Sequence, residues 1–155
     1  MPSSVRWSSV CYGDGKFVAV AFQISISSSG YTNIAAYSTD GINWTQTTLP
    51  ATGEWCSICY GNDKFVAVMN SSSDSEPNIA AYSTDGITWT QTTSFGRGNH
   101  FGTLSVCYGD GKFVTVISNE TNAAYSTDGI NWNSTTKGLQ LPNGTDIHKQ
   151  VKNAL

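Results

Sequence analysis

The chain repeats itself, and the repeat limits what it can fold into. Cys11-Tyr12-Gly13, Cys59-Tyr60-Gly61 and Cys107-Tyr108-Gly109 recur at 48-residue intervals. Each is followed by a short turn and a Lys-Phe-Val triplet, at Lys16, Lys64 and Lys112. A second block, Ala-Ala-Tyr-Ser-Thr-Asp-Gly-Ile, follows at 35–42, 80–87 and 123–130, with a tryptophan two residues beyond it at Trp44, Trp89 and Trp132. A period of this length marks a stacked array of supersecondary units, in which each unit needs its neighbours to bury its apolar faces.

Each unit reads as four short strands. In the first they are about Ser8–Tyr12, Phe17–Phe22, Ile34–Ser38 and Ile42–Thr48, termed A to D. The A–B connections are Gly13-Asp14-Gly15, Gly61-Asn62-Asp63 and Gly109-Asp110-Gly111. Asp-Gly and its relatives between apolar runs predict tight hairpins, because these residues accept a positive φ. The C–D connections carry Asp40-Gly41, Asp85-Gly86 and Asp128-Gly129. B strands such as Phe65-Val66-Ala67-Val68 are apolar throughout, so both of their faces should be covered. Four strands in 40–50 residues, covered on both sides, describe a propeller blade. The predicted fold is all-β, with blades at about 5–50, 53–95 and 101–142 within a three-blade array spanning 1–142. The tail, 143–155, could form a short helix with Ile147, Val151 and Leu155 on one side.

The three C–D hairpins resemble the Asp-box, or BNR repeat, of sialidase-type, bacterial surface and phage tail propellers. The resemblance rests on Ser38, Asp40, Gly41 and Trp44, on Ser83, Asp85, Gly86 and Trp89, and on Ser126, Asp128, Gly129 and Trp132. The spacing is a variant, one residue shorter between Asp and Trp. In that family the box is structural, so these residues are expected to build turns and pack blades. Sialidase catalysis needs an arginine cluster and a Tyr–Glu pair. Arg6 and Arg97 occupy non-equivalent places, so that motif finds no positions here.

Other catalytic patterns are thin. Glycosidase chemistry requires two convergent carboxylates. The glutamates are Glu54, Glu76 and Glu120, all read as loop residues. His100 and His148 give neither a catalytic triad nor a two-histidine metal spacing. Cys11, Cys59 and Cys107 are repeat-equivalent and read as small buried hydrophobes. No cofactor, metal or catalytic residue is predicted, and the chain is read as not an enzyme.

With 8 basic residues and a net charge of −3, the chain has no clustered positive surface for nucleic acid. No apolar run suits a membrane helix. The N-terminus lacks a signal-peptide pattern. An extracellular or virion-associated location is suggested only by the family resemblance. Length variation is confined to the B–C and D–A connections: 14, 11 and 6 residues separate Val20, Val68 and Val116 from Ala35, Ala80 and Ala123. In up-and-down blades these connections share one rim, where ligand sites usually lie. The candidate ligand residues there are Tyr31, Asn33, Asn78, Phe95, Arg97, Asn99, His100 and Phe101, a set suited to a glycan. The favoured function is therefore a non-catalytic, lectin-like binding or display module. A purely structural self-assembling repeat and a glycoside hydrolase are the alternatives. Three blades cannot close a ring of four to eight, so a homodimer completing a six-bladed propeller is the expected assembly.

Overall fold

The computed structural model describes residues 5–23, 30–71, 76–96, 104–117 and 123–135. The tail at 143–155 lies outside them. All regular structure among the described residues is β-strand. The strands are β1 (Arg6–Gly13), β2 (Lys16–Gln23), β3 (Thr32–Ser38), β4 (Thr45–Gly61), β5 (Lys64–Asn70), β6 (Ile79–Ser83), β7 (Thr90–Gln91), β8 (Leu104–Gly109), β9 (Lys112–Ile117), β10 (Ala123–Ser126) and β11 (Asn133–Ser134). Each pairs antiparallel with the next within two sheets: β1 to β7 in order, and β8 to β11 in order.

The strands resolve into three four-stranded units, because β4 serves two of them. Its first part pairs with β3, from Tyr37↔Thr45 to Ile34↔Thr48. Its second part pairs with β5, from Glu54↔Asn70 to Gly61↔Lys64. The sequence predicts strand D ending near Thr48 and a separate strand A after it. Instead the chain stays extended through Pro50 and Gly53. Gly53 still pairs with Thr32. The Trp55 indole N–H donates to the Ala51 carbonyl at 3.0 Å, and the Trp55 ring is fully buried. The anchored Trp55 side chain and the pairing of Gly53 with Thr32 hold this stretch extended.

The A–B turns follow the sequence closely. Asp14 and Gly15 have φ of 46° and 70°, and Asp110 and Gly111 have 47° and 70°. Two successive positive values are what a two-residue hairpin matching the strand twist requires. The middle unit makes the same turn with Asn62 at 46° and Asp63 at 55°, where its siblings have glycine second.

Two apolar clusters hold the units together, and each lies at a seam between blades. The first joins Val18, Val20 and Ala35 to Ile58, Phe65 and Ala81, with Tyr60 and Trp89 against it. The second joins Val66, Val68 and Ala80 to Val106, Phe113 and Ala124, with Tyr108 and Trp132. Shifted by one repeat, the two sets are nearly the same residues. Hydroxyls bridge the first strands of adjacent blades. The Ile58 N–H donates to Ser9 Oγ at 3.3 Å, and the Val106 N–H donates to Ser57 Oγ at 3.2 Å.

The middle turn yields a test. Asp63 occupies the left-handed region, which costs a non-glycine residue about 1 kcal/mol. Asp63→Gly should therefore raise stability by about that amount, read as a higher denaturation midpoint at unchanged slope. A lower midpoint would mean that the Asp63 side chain contributes more than the strain costs.

Candidate functional site

The three Ser-Thr-Asp-Gly turns are nearly superimposable in their bonding. Ser38 Oγ donates to Asp40 Oδ1 at 2.9 Å and accepts from the Gly41 N–H at 2.9 Å. Asp40 Oδ1 also accepts from the Ile42 and Asn43 N–H groups at 2.8 and 2.7 Å. The bonds of Ser83–Asp85 and Ser126–Asp128 repeat this pattern. Gly41, Gly86 and Gly129 take φ of 74°, 72° and 75°, which a side chain would oppose. Oδ1 of each aspartate accepts the serine hydroxyl and two turn amides, so the three aspartates act as turn formers.

Those bonds set the acidity of the aspartates. The Asn43 side-chain amide, then the backbone amides of Asn43 and Ile42, hold Asp40 well below the usual carboxylate range. At Asp85 burial pushes upward, but the amides of Thr88 and Ile87 and the Ser83 hydroxyl outweigh it and hold the group at about 2. Asp128 is lowered chiefly by the Asn131 backbone amide.

The rim that carries the B–C and D–A connections contains a cavity of about 270 Å³ lined by Ser8, Phe22, Glu54, Cys56 and Leu104. These residues come from all three blades, at or near the entry of each first strand. Glu54 was expected in a loop. It lies on β4 instead, opposite Asn70 in the ladder. The buried Asn70 amide nitrogen donates to Glu54 Oε2 at 3.2 Å, which fixes the carboxylate's orientation. Across the repeat, Arg6 stands where Glu54 does in the next unit. That departure from an otherwise regular pattern was the signal available in the sequence.

Of the predicted ligand residues that the structure describes, Asn78 and Phe95 are joined by a β-bridge, and Tyr31 and Asn33 belong to the first blade. Phe95 is 3% exposed and stacks on Trp132 at 5.0 Å between ring centroids. Asn78 is fully buried, its Oδ1 accepting from the Ser71 N–H and its carbonyl from the Phe95 N–H. Both belong to the seam between blades two and three, where packing and a β-bridge draw them inward. Tyr31 and Asn33 are half-buried beside and on β3. Arg97, Asn99, His100 and Phe101 lie outside the described residues. The thiols also depart from expectation. Cys11 and Cys59 are half-buried, and burial pushes both up to about 12. Cys107 is exposed.

No family model and no curated protein matches this chain. Solved structures do. A Bombyx mori GH32 beta-fructofuranosidase matches with a TM-score of 0.53 at 17% identity, over 86% of this chain and 34% of the enzyme. Sucrose-6-phosphate hydrolase from Lactobacillus gasseri matches at 0.57 and 11% identity, over 84% of this chain and 33% of that one. A Clostridium thermocellum GH43 alpha-L-arabinofuranosidase matches at 0.54 and 13% identity, over 88% and 56%. The fold is a β-propeller. The chain spans about a third of the first two enzymes, whose families are five-bladed. The likeness supports a propeller in general and not the Asp-box family in particular. It also corrects the expected function. Both the non-catalytic binding or display module and the reading as a non-enzyme are overturned, because these neighbours are glycoside-cleaving enzymes by name.

The turn aspartates link stability to pH with a definite sign. Their folded acidity is strengthened relative to about 3.9 in an unfolded chain. The contribution of Asp85 is therefore complete above about pH 4 and lost as pH falls through about 2, and Asp40 and Asp128, held lower still, lose theirs at more acid pH. Asp85→Ala should cost about 1–2 kcal/mol at neutral pH and make the acid limb shallower. Denaturant titrations at several pH values would show this. An unchanged acid limb would remove the turns from the account.

Proposed function

We propose that this chain carries a glycoside-hydrolase site on its propeller blades, with Glu54 as one carboxylate of the site and furanosides as the first substrate class to examine. The observation that carries this is the position of Glu54. It is an oriented carboxylate on a strand, at a cavity where three blades meet, on the rim whose connections vary in length. The names of the structural neighbours support the reaction class. A propeller scaffold holds its first strands rigid, so a carboxylate on one of them is better placed for chemistry than one on a loop.

Glycoside cleavage uses a second carboxylate, about 5–5.5 Å from the first for retention and about 6.5–9.5 Å for inversion. The aspartates of the C–D turns are committed to their hairpins. Asp14, Asp63 and Asp110 sit in the A–B turns at the opposite rim. Glu76 lies in the B–C connection of the second blade, on the same rim as Glu54, and is the candidate partner among the described acids. One of the pair would protonate the leaving oxygen, and the other would attack the sugar carbon or activate water. Phe22 supplies an apolar wall to the cavity, and the Ser8 hydroxyl already spends its proton on the Trp55 carbonyl.

A panel of aryl fructofuranosides, arabinofuranosides and pyranosides tests the reading. Hydrolysis is expected with at least one furanoside. Glu54→Gln, which keeps an acceptor for Asn70, should lower the rate by about 10²–10⁴ with circular dichroism unchanged. Hydrolysis that survives this substitution would exclude Glu54, and silence across the panel would remove the proposal.

A further inference from the structure

The two internal seams share one design. Behind each lies a glycine of the preceding blade: a methyl group on Gly13 would overlap the Tyr60 ring, and one on Gly61 would overlap the Tyr108 ring. A second glycine contact runs the other way. A Cβ on Gly86 would stand 2.8 Å from Val18, and one on Gly129 would stand 2.9 Å from Val66. Each seam is thus a Tyr seated on Gly, a Gly seated on Val, and a Ser hydroxyl receiving a backbone N–H.

Both halves of a third such seam are present and unused. At one end of the array, Tyr12 is 60% exposed and Val10 57%, where Tyr60 and Ile58 are packed. Ile42 is 79% exposed, against 37% for Ile87. Gly41 meets only Phe17 of its own blade. At the other end, a Cβ on Gly109 would meet nothing within 4 Å. Val114, the counterpart of the fully buried Val18 and Val66, is only half-buried. It lines an apolar hollow of about 440 Å³ with Ala123, Ala124 and Tyr125. Ser105 and Cys107 are exposed, whereas their counterparts Ser57 and Cys59 lie in a seam.

We infer that this chain pairs with a second copy of itself, the first blade of each seating on the third blade of the other, so that two copies close a six-bladed ring. The occupant is another copy because the surface each end requires is the one displayed at the opposite end. Tyr12 enters the slot over Gly109, Gly41 rests on Val114, and Ser105 Oγ accepts the Val10 N–H. Six blades fall within the usual range, whereas three copies would give nine. The pairing is independent of the catalytic reading and holds whether or not Glu54 is a catalytic group.

Light scattering on a size-exclusion column tests this against a chain mass of 16.6 kDa. Gly109→Trp fills the slot from a position where a Cβ meets nothing of its own chain within 4 Å. Tyr12→Glu places a charge on the opposite face. The unsubstituted chain is expected at twice the chain mass, and both variants at the chain mass with unchanged circular dichroism. Alkylation of Cys107, followed by peptide mass spectrometry, gives a second readout. It should be at least tenfold slower in the unsubstituted chain than in Gly109→Trp. A monomer at every concentration, a dimer that survives Gly109→Trp, or equal alkylation rates would each overturn the inference. Trimers or open polymers would overturn the two-copy ring.

Discussion

Every blade of this protein depends on having both faces covered. A four-stranded sheet with an apolar B strand is destabilised with one side in water, because each Å² of exposed apolar surface forgoes about 25 cal/mol. The middle blade satisfies this requirement inside the chain, and its B strand is buried from Phe65 to Asn70. The outer blades satisfy it on one side only. The contrast of Val66 with Val114, and of Tyr60 with Tyr12, follows from position in the array and not from residue type, since the residues are the same.

Because the seams depend on glycine, the repeat tolerates little variation there. Tyr60 and Tyr108 approach the preceding backbone so closely that a methyl group has no room. The Ser-Thr-Asp-Gly turn adds a second restriction: its glycine must both adopt a positive φ and lie against a valine of the preceding blade. These two requirements explain why Cys-Tyr-Gly and Ser-Thr-Asp-Gly are the most regular parts of the sequence. The connections on the other rim face neither requirement, and there the three units diverge.

Much of the fold was legible because it is written in short-range chemistry. Asp-Gly pairs gave the A–B hairpins, and continuous apolar B strands gave two-sided burial. The fusion of strands D and A into β4 was not legible, because Pro50 and Gly53 read as breakers. Only the long-range anchoring of Trp55 and the pairing of Gly53 with Thr32 keep that stretch extended. Long-range pairing also decides the burial of two rim residues. Phe95 and Asn78 look like loop side chains in a polar stretch, yet a β-bridge between them draws both into the core. Glu54 reads as a loop residue because its counterpart Arg6 precedes the predicted start of strand A at Ser8, whereas both residues lie on strands.

Regular seams and a variable rim together bear on how a site could arise on such an array. A repeat alone produces equivalent residues around an axis, and a departure from it is where a locally distinct group can stand. Glu54 is such a position, with Arg6 at its counterpart in the first blade. Glu76 stands in a connection whose length has no match in the other blades. The catalytic reading thus rests on the departures from the repeat, and the pairing of two copies rests on its regularity. Each can fail without the other, because Glu54 is bonded within its own blade while Tyr12 and Gly109 lie at the two ends of the array.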